Sequence, residues 1–182
     1  MRKILLGILI LSLFSCGEDT IPKPKAQLRL DYKNAEYVFF DSGCSYQFEV
    51  NNMAKISSKN ACSFELHYPK MKATLYLTYK PVNGNIDTLL IDAQKLTYEH
   101  VIKADDITTQ PYLNYEERVY GMFSAVGGDA ATNAQFYVTD STKHFVAGSL
   151  YFYAKPNYDS ILPAVNYVKN DMRHLMETIE WK

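Results

Sequence analysis

Asp140, Ser141 and His144 place a carboxylate, a hydroxyl and an imidazole in one short stretch, the trio that nucleophilic acyl transfer uses. In such sites nucleophile, base and orienting acid converge from separate elements. Here all three fall on the polar run Asp140-Ser141-Thr142-Lys143 and the residue after it, so a turn held by its own capping side chains is the expectation. Gly121 through Gly128 invites comparison with a nucleophile elbow, but Ser124 lies inside a strand pattern. No GxSxG, HExxH, phosphate-binding loop or dinucleotide glycine fingerprint occurs. His100 follows Glu99 on the apolar side of a helical pattern, with no second ligand type three or four positions away, and reads as a half-buried histidine. His67 and His174 have no partner that spacing identifies. No catalytic residue, metal site or cofactor is therefore expected. Recognition is better served by Tyr151-Phe152-Tyr153 and Tyr158, because tyrosine combines contact area with a polar end. On a strand Tyr151 and Tyr153 share one face and Phe152 takes the other, so one side is core and the other a candidate interaction surface.

The three cysteines carry the covalent chemistry. Arg2 and Lys3 precede an apolar run from Ile4 to Leu13, which matches the hydrophobic region of a signal peptide and is too short to span a bilayer. It ends in Leu13-Phe14-Ser15-Cys16, which resembles the bacterial lipobox, where the thiol accepts a diacylglycerol and the cysteine becomes the first mature residue. Residues 1–15 are thus expected to be a signal peptide and Cys16 the lipid anchor, carrying palmitate-type acyl chains; two or three chains give stable anchoring where one does not. Residues 16–25, polar and with Pro22 and Pro24, read as an extended tether reaching about 30 Å at ~3.1 Å per residue. Glu18 and Asp19 read first as solvated tether charge and second as a sorting signal. Cys44 and Cys62 then remain as an even pair in a compartment that permits oxidation, and a bridge between them is expected, the alternative being two buried thiols. Their spacing does not suit a metal.

These groups must be positioned by residues 26–182, which read as a single domain. The chain has 182 residues, is 47% hydrophobic and carries a formal charge of −1, enough apolar material for a core and no basic surface for nucleic acid. Short strands are expected at Gln27 to Tyr32, Tyr37 to Phe40, Tyr46 to Val50, Ser63 to Tyr68 and Lys72 to Lys80. The last is the clearest, since Ala73, Leu75, Leu77 and Tyr79 alternate with Thr74, Tyr76 and Thr78. Ile86, Leu89, Leu90, Ala93, Leu96, Thr97, His100, Val101 and Ala104 recur at helical spacing, which predicts an amphipathic helix lying across the sheet. Arg118 to Val126, Gln135 to Thr139 and Phe145 to Tyr153 predict an antiparallel meander. A closing helix from about Ser160 carries one apolar stripe from Ile161 to Ile179, with Pro163 tolerated in its first turn. The fold class expected is α+β, an antiparallel sheet packed against helices.

Several long stretches resemble one family: Tyr68 to Ala73, Leu96 to His100, Val119 to Phe123, Gln135 to Thr142 and Gly148 to Pro163 are similar to the gliding motility lipoproteins of the GldD family. The resemblance runs from the lipobox to the last residue and includes the cysteine pair. It implies a non-enzymatic role in surface gliding, in an envelope whose adhesins are moved by a motor coupled to a protein-secretion machine. Partners would be subunits of that machinery, and the location a lipid-anchored one facing the periplasm, on the outer membrane in preference to the inner. The segment from Phe145 to Thr178 also resembles the end of PsbP-like domains, a sandwich of an antiparallel sheet between helices; that speaks to fold alone and suggests a ligand- or peptide-binding module as the alternative.

Overall fold

Alternating strands and two amphipathic helices account for most of the chain in the computed structural model, which describes residues 32–60, 62–98, 104, 106–128, 132–153 and 158–182. In order these are β1 (Tyr37–Asp41), β2 (Tyr46–Asn51), β3 (Lys55–Asn60), β4 (Ser63–Tyr68), a 3-10 turn (Pro69–Met71), β5 (Ala73–Pro81), α1 (Ile86–Tyr98), β6 (Asp106–Asn114), β7 (Val119–Gly127), β8 (Thr132–Thr139), β9 (His144–Phe152), α2 (Tyr158–Glu177) and β10 (Glu180–Trp181). The class is α+β. All strand pairs are antiparallel, in a seven-stranded sheet ordered β3-β4-β5-β9-β8-β7-β6 and a three-stranded sheet ordered β1-β2-β10.

Period-two alternation assigns the two faces of the large sheet. Leu75 and Leu77 of β5, Phe136 and Val138 of β8, and Val146 and Leu150 of β9 point to one side, where they meet Val168, Met172, Leu175 and Met176 of α2 and Tyr46 and Phe48 of the small sheet. Gly148 permits this packing: a Cβ there would sit 2.3 Å from the Phe136 ring. The opposite face is apolar only at one end, where Phe145, Ala147 and Tyr137 receive Leu89, Leu90 and Ala93 of α1. One face is therefore closed by a helix and a second sheet, and the other is half covered by a helix.

The expected strands over 37–40, 46–50, 63–68, 72–80, 118–126, 135–139 and 145–153 match β1, β2, β4, β5, β7, β8 and β9 within a few residues. The meander has four strands rather than three. The strands not anticipated are the short β10 after the closing helix and, in the large sheet, its two edges β3 and β6. An edge strand has one neighbour and no need of an apolar face, so Lys55–Asn60 is mostly exposed and β6 contains Pro111, which edge positions tolerate. The expected strand over 27–32 falls largely on residues outside those described, and Tyr32 is irregular, its ring 5.2 Å from Tyr167. The continuation of α1 toward Ala104, with His100, also lies outside the described residues.

The cysteine pair is bonded: Cys44 and Cys62, separated by 18 positions, join the turn after β1 to the start of β4, tying the small sheet to the large one. Closing a loop of this length stabilises by about 3 kcal/mol through the unfolded chain. Beside it, the Tyr46 hydroxyl donates to the Cys62 carbonyl at 2.8 Å.

Under α2 the core holds a carboxylate. Asp171 is 3% exposed and accepts from the Tyr37 hydroxyl (2.8 Å) and the Asn51 amide (2.7 Å), with Tyr68 as a further side-chain partner. Burial pushes its pKa up, against the three hydrogen bonds that favour the charged form. The network joins β1, β2, β4 and α2. Nearby, His174 stacks on Tyr37 with ring centroids 3.6 Å apart and meets Glu49 at 2.7 Å.

Candidate interaction surface

The uncovered half of the α1 face is built by strand register. Pairing of β4, β5 and β9 places Glu65, Tyr76 and Ser149 in one row and His67, Thr74 and Tyr151 in the next. Each of these residues alternates with a core residue, so the same pattern that buries Leu66, Leu75 and Leu150 turns them to the opposite face, where Thr74 is covered by its neighbours and the others reach the surface. Phe152 packs against the main core, and Tyr153 after it is 62% exposed.

The rings are organised. Tyr76 and Tyr151 meet edge to face at 5.6 Å, and the hydroxyls of Tyr76 and Tyr153 share a hydrogen bond. That bond, with burial and the neighbouring Glu65, pushes the Tyr76 hydroxyl up to about 12, so it remains a protonated donor at neutral pH. Lys59 lies over the Tyr76 ring at 5.3 Å and pairs with Glu65 at 3.3 Å. His67 bridges three strands: Nδ1 meets Thr74 Oγ1 at 3.0 Å and Nε2 meets Ser57 Oγ at 3.0 Å. Glu65 approaches the same Nε2 at 3.4 Å. Serine activation needs the carboxylate on the nitrogen opposite the serine, and here a hydroxyl holds that place. The arrangement fits a fixed polar and aromatic surface with donors and acceptors already oriented.

Of the residues singled out in the sequence, Tyr151 and Tyr153 lie on this face. Tyr158 opens α2, and its side chain is outside the described residues, as is Cys16. Tyr76 and His67 complete the cluster; the polar-leaning alternation of Thr74, Tyr76 and Thr78 was their signal, but nothing in the spacing tied them to Tyr151. The Asp140 group forms the turn between β8 and β9. Asp140 Oδ1 accepts the backbone N–H groups of Thr142 (3.0 Å), Lys143 (2.7 Å) and His144 (2.8 Å). Burial opposes its ionisation, but these bonds outweigh that and hold its pKa down to about 2. The His144 ring turns away to Tyr79, 2.9 Å from its hydroxyl, and stacks on Trp181.

Among the described residues no group of three His, Cys, Asp or Glu side chains is placed to hold a metal, and no described helix is long and apolar enough to cross a membrane. None of the curated proteins matches the chain. The family model described as gliding motility lipoprotein GldD matches residues 17–181. With nearly the whole sequence inside that match, the chain belongs to the GldD family of gliding motility lipoproteins.

Proposed function

We propose that this protein is a lipid-anchored, non-enzymatic component of the cell envelope that serves gliding by docking subunits of the motility and secretion machinery on its tyrosine face. The observation that carries the reading is the half-covered sheet: Tyr76, Tyr151 and Tyr153 stand on a rigid platform that no other described element covers. Rigid tyrosines cost little side-chain entropy on binding and are enriched where proteins meet. Family membership supports the anchoring half of the proposal. Cys16 carries the lipid, residues 16–25 form the tether and the remaining domain stands off a membrane facing the periplasm, the outer membrane being favoured.

A photocrosslinking residue at Tyr153 of the full lipoprotein, expressed in gliding cells, tests it, with Leu113 on the far edge of the sheet as control position. Crosslinks to motility or secretion subunits from 153 and not from 113, lost with Cys16→Ala, are the expected result. Equal labelling from both positions would overturn docking at this face. A PsbP-like ligand- or peptide-binding module is the second reading, and helices on both faces of an antiparallel sheet favour it; a free peptide or small molecule that competes with the crosslinks would shift weight to it.

A further inference from the structure

On the other face of the large sheet, beside α2's apolar stripe, a cleft of about 280 Å³ opens between α2 and the strands β6, β7 and β8. Its floor includes Phe123 and Val165, and its walls are polar: Thr108 and Gln110 from the edge strand, Lys169 and Arg173 from α2, and Asn133 from β8. Asn133 owes its place to a bulge. Thr132 pairs with Tyr151 and Ala134 with Leu150, so Asn133 is the extra residue, and the bulge turns its side chain to the α2 side, where strict alternation would send it to the opposite face. It is 2% exposed, and its Nδ2 has no hydrogen-bond partner among the described residues. A buried amide donor left unmade is costly, and each one in a native structure calls for an explanation.

The cations point the same way. Lys169 and Arg173 stand one helical turn apart, where like charges repel, and neither has an ion-pair partner among the described residues. The Arg173 guanidinium lies over the Phe123 ring at 4.3 Å, a cation–π contact that holds it at the cleft, where its N–H groups can meet a planar or tetrahedral anion. Asp106 on the opposite wall packs against Gly127, where a Cβ would lie 2.0 Å from its Oδ1, and leaves the cleft with one net positive charge.

We infer that this cleft is a binding site for an oxyanion, a carboxylate or phosphate group, received by Asn133 Nδ2, Arg173 and Lys169. The anion supplies the acceptor that Asn133 lacks and neutralises the two cations. It comes either from a small molecule or from an acidic side chain of a protein partner. The site is on the face opposite the tyrosines and does not depend on the docking reading.

The test is calorimetric titration of the full, detergent-solubilised lipoprotein with inorganic phosphate, with succinate and with an end-capped acidic peptide, at constant ionic strength set by chloride. Saturable binding of at least one is expected, weakened about tenfold or more by Arg173→Gln and by Asn133→Ala, the loss that follows from removing a hydrogen bond to a charged group. Asn133→Ala should at the same time raise the unfolding midpoint of the anion-free protein, which loss of a merely structural amide would not do. Tighter binding of phosphate or succinate than of the peptide identifies a small ligand, and the reverse identifies a partner's side chain; either supports the site. No saturable binding of any of the three up to about 10 mM, or equal binding by wild type and both variants, would overturn it.

Discussion

The two faces of the large sheet are made by the same strands and differ in what closes them. On the α2 face, Leu75, Phe136, Val146 and Leu150 sit under a helix and a second sheet, and a polar cluster there is consumed internally, Asp171 holding Tyr37, Tyr68 and Asn51 together. The β6 to β8 end of that face opens as the cleft beside Arg173. On the α1 face only the Phe145 end is covered; beyond it Tyr76 bonds Tyr153 and meets the Tyr151 ring, His67 bonds Ser57 and Thr74, and the tyrosines and His67 still reach solvent. A polar network on a closed face fixes the fold, whereas the same residue types on an open face form a surface. Mutation should therefore be felt as lost stability on one side and as lost association on the other.

The largest effect is expected from Asp171→Ala, which removes the shared acceptor of Tyr37, Asn51 and Tyr68 from a cluster that is mostly buried. A loss of about 3–5 kcal/mol in denaturant unfolding fits the removal of one partner from a buried polar cluster. A loss below about 1 kcal/mol would mean that the network does not organise the closed face. Replacing Cys44 and Cys62 together by alanine should cost about 3 kcal/mol by the same measurement, and unequal loosening of the small sheet in hydrogen exchange would locate the effect.

Asp140→Ala is smaller, about 1–2 kcal/mol, because it removes the acceptor that caps one turn. The two aspartates should also respond to pH with opposite signs. Asp140 has a folded pKa of about 2, below its ordinary 3.8, so its contribution is present above the ordinary value and is lost as pH falls toward about 2. Asp171 is raised by burial, so its contribution is fully present below the ordinary carboxylate value and declines as pH rises through its folded value. Unfolding midpoints of Asp140→Asn and Asp171→Asn across the acid range should flatten opposite limbs of the profile. Smallest in stability is Tyr153→Ser on the open face: within about 0.5 kcal/mol of wild type, as for exposed sites in general, yet with crosslinking to partners reduced. A stability loss above 2 kcal/mol there would make Tyr153 part of the closed structure and erase the contrast between the faces.

Much of this was legible in the residues themselves. The alternation of Ala73 through Tyr79 and the apolar stripe from Ile161 to Ile179 each announce one element, because a strand or helix that buries one face must repeat with its own period. Cys44 and Cys62 were legible as a pair because little else can be done with two cysteines in an oxidising compartment. The edge strands β3 and β6 were not, since having a single neighbour removes the pattern that marks an interior strand. Nor was Asp171, which interrupts an apolar stripe with a charge; only the meeting of Tyr37, Asn51 and Tyr68 from distant segments makes its burial tolerable.

The sequence by itself determined the interior strands of the large sheet, the two helices, several of the turns, and the family to which the chain belongs, since local periodicity and residue identity carry that information. The tertiary structure decided which strands are edges, that His67, Thr74 and Tyr151 share a row, and that a one-residue bulge turns Asn133 into a cleft beside Arg173. Those facts depend on register between segments remote in the chain, and register is fixed only when all the strands pair at once.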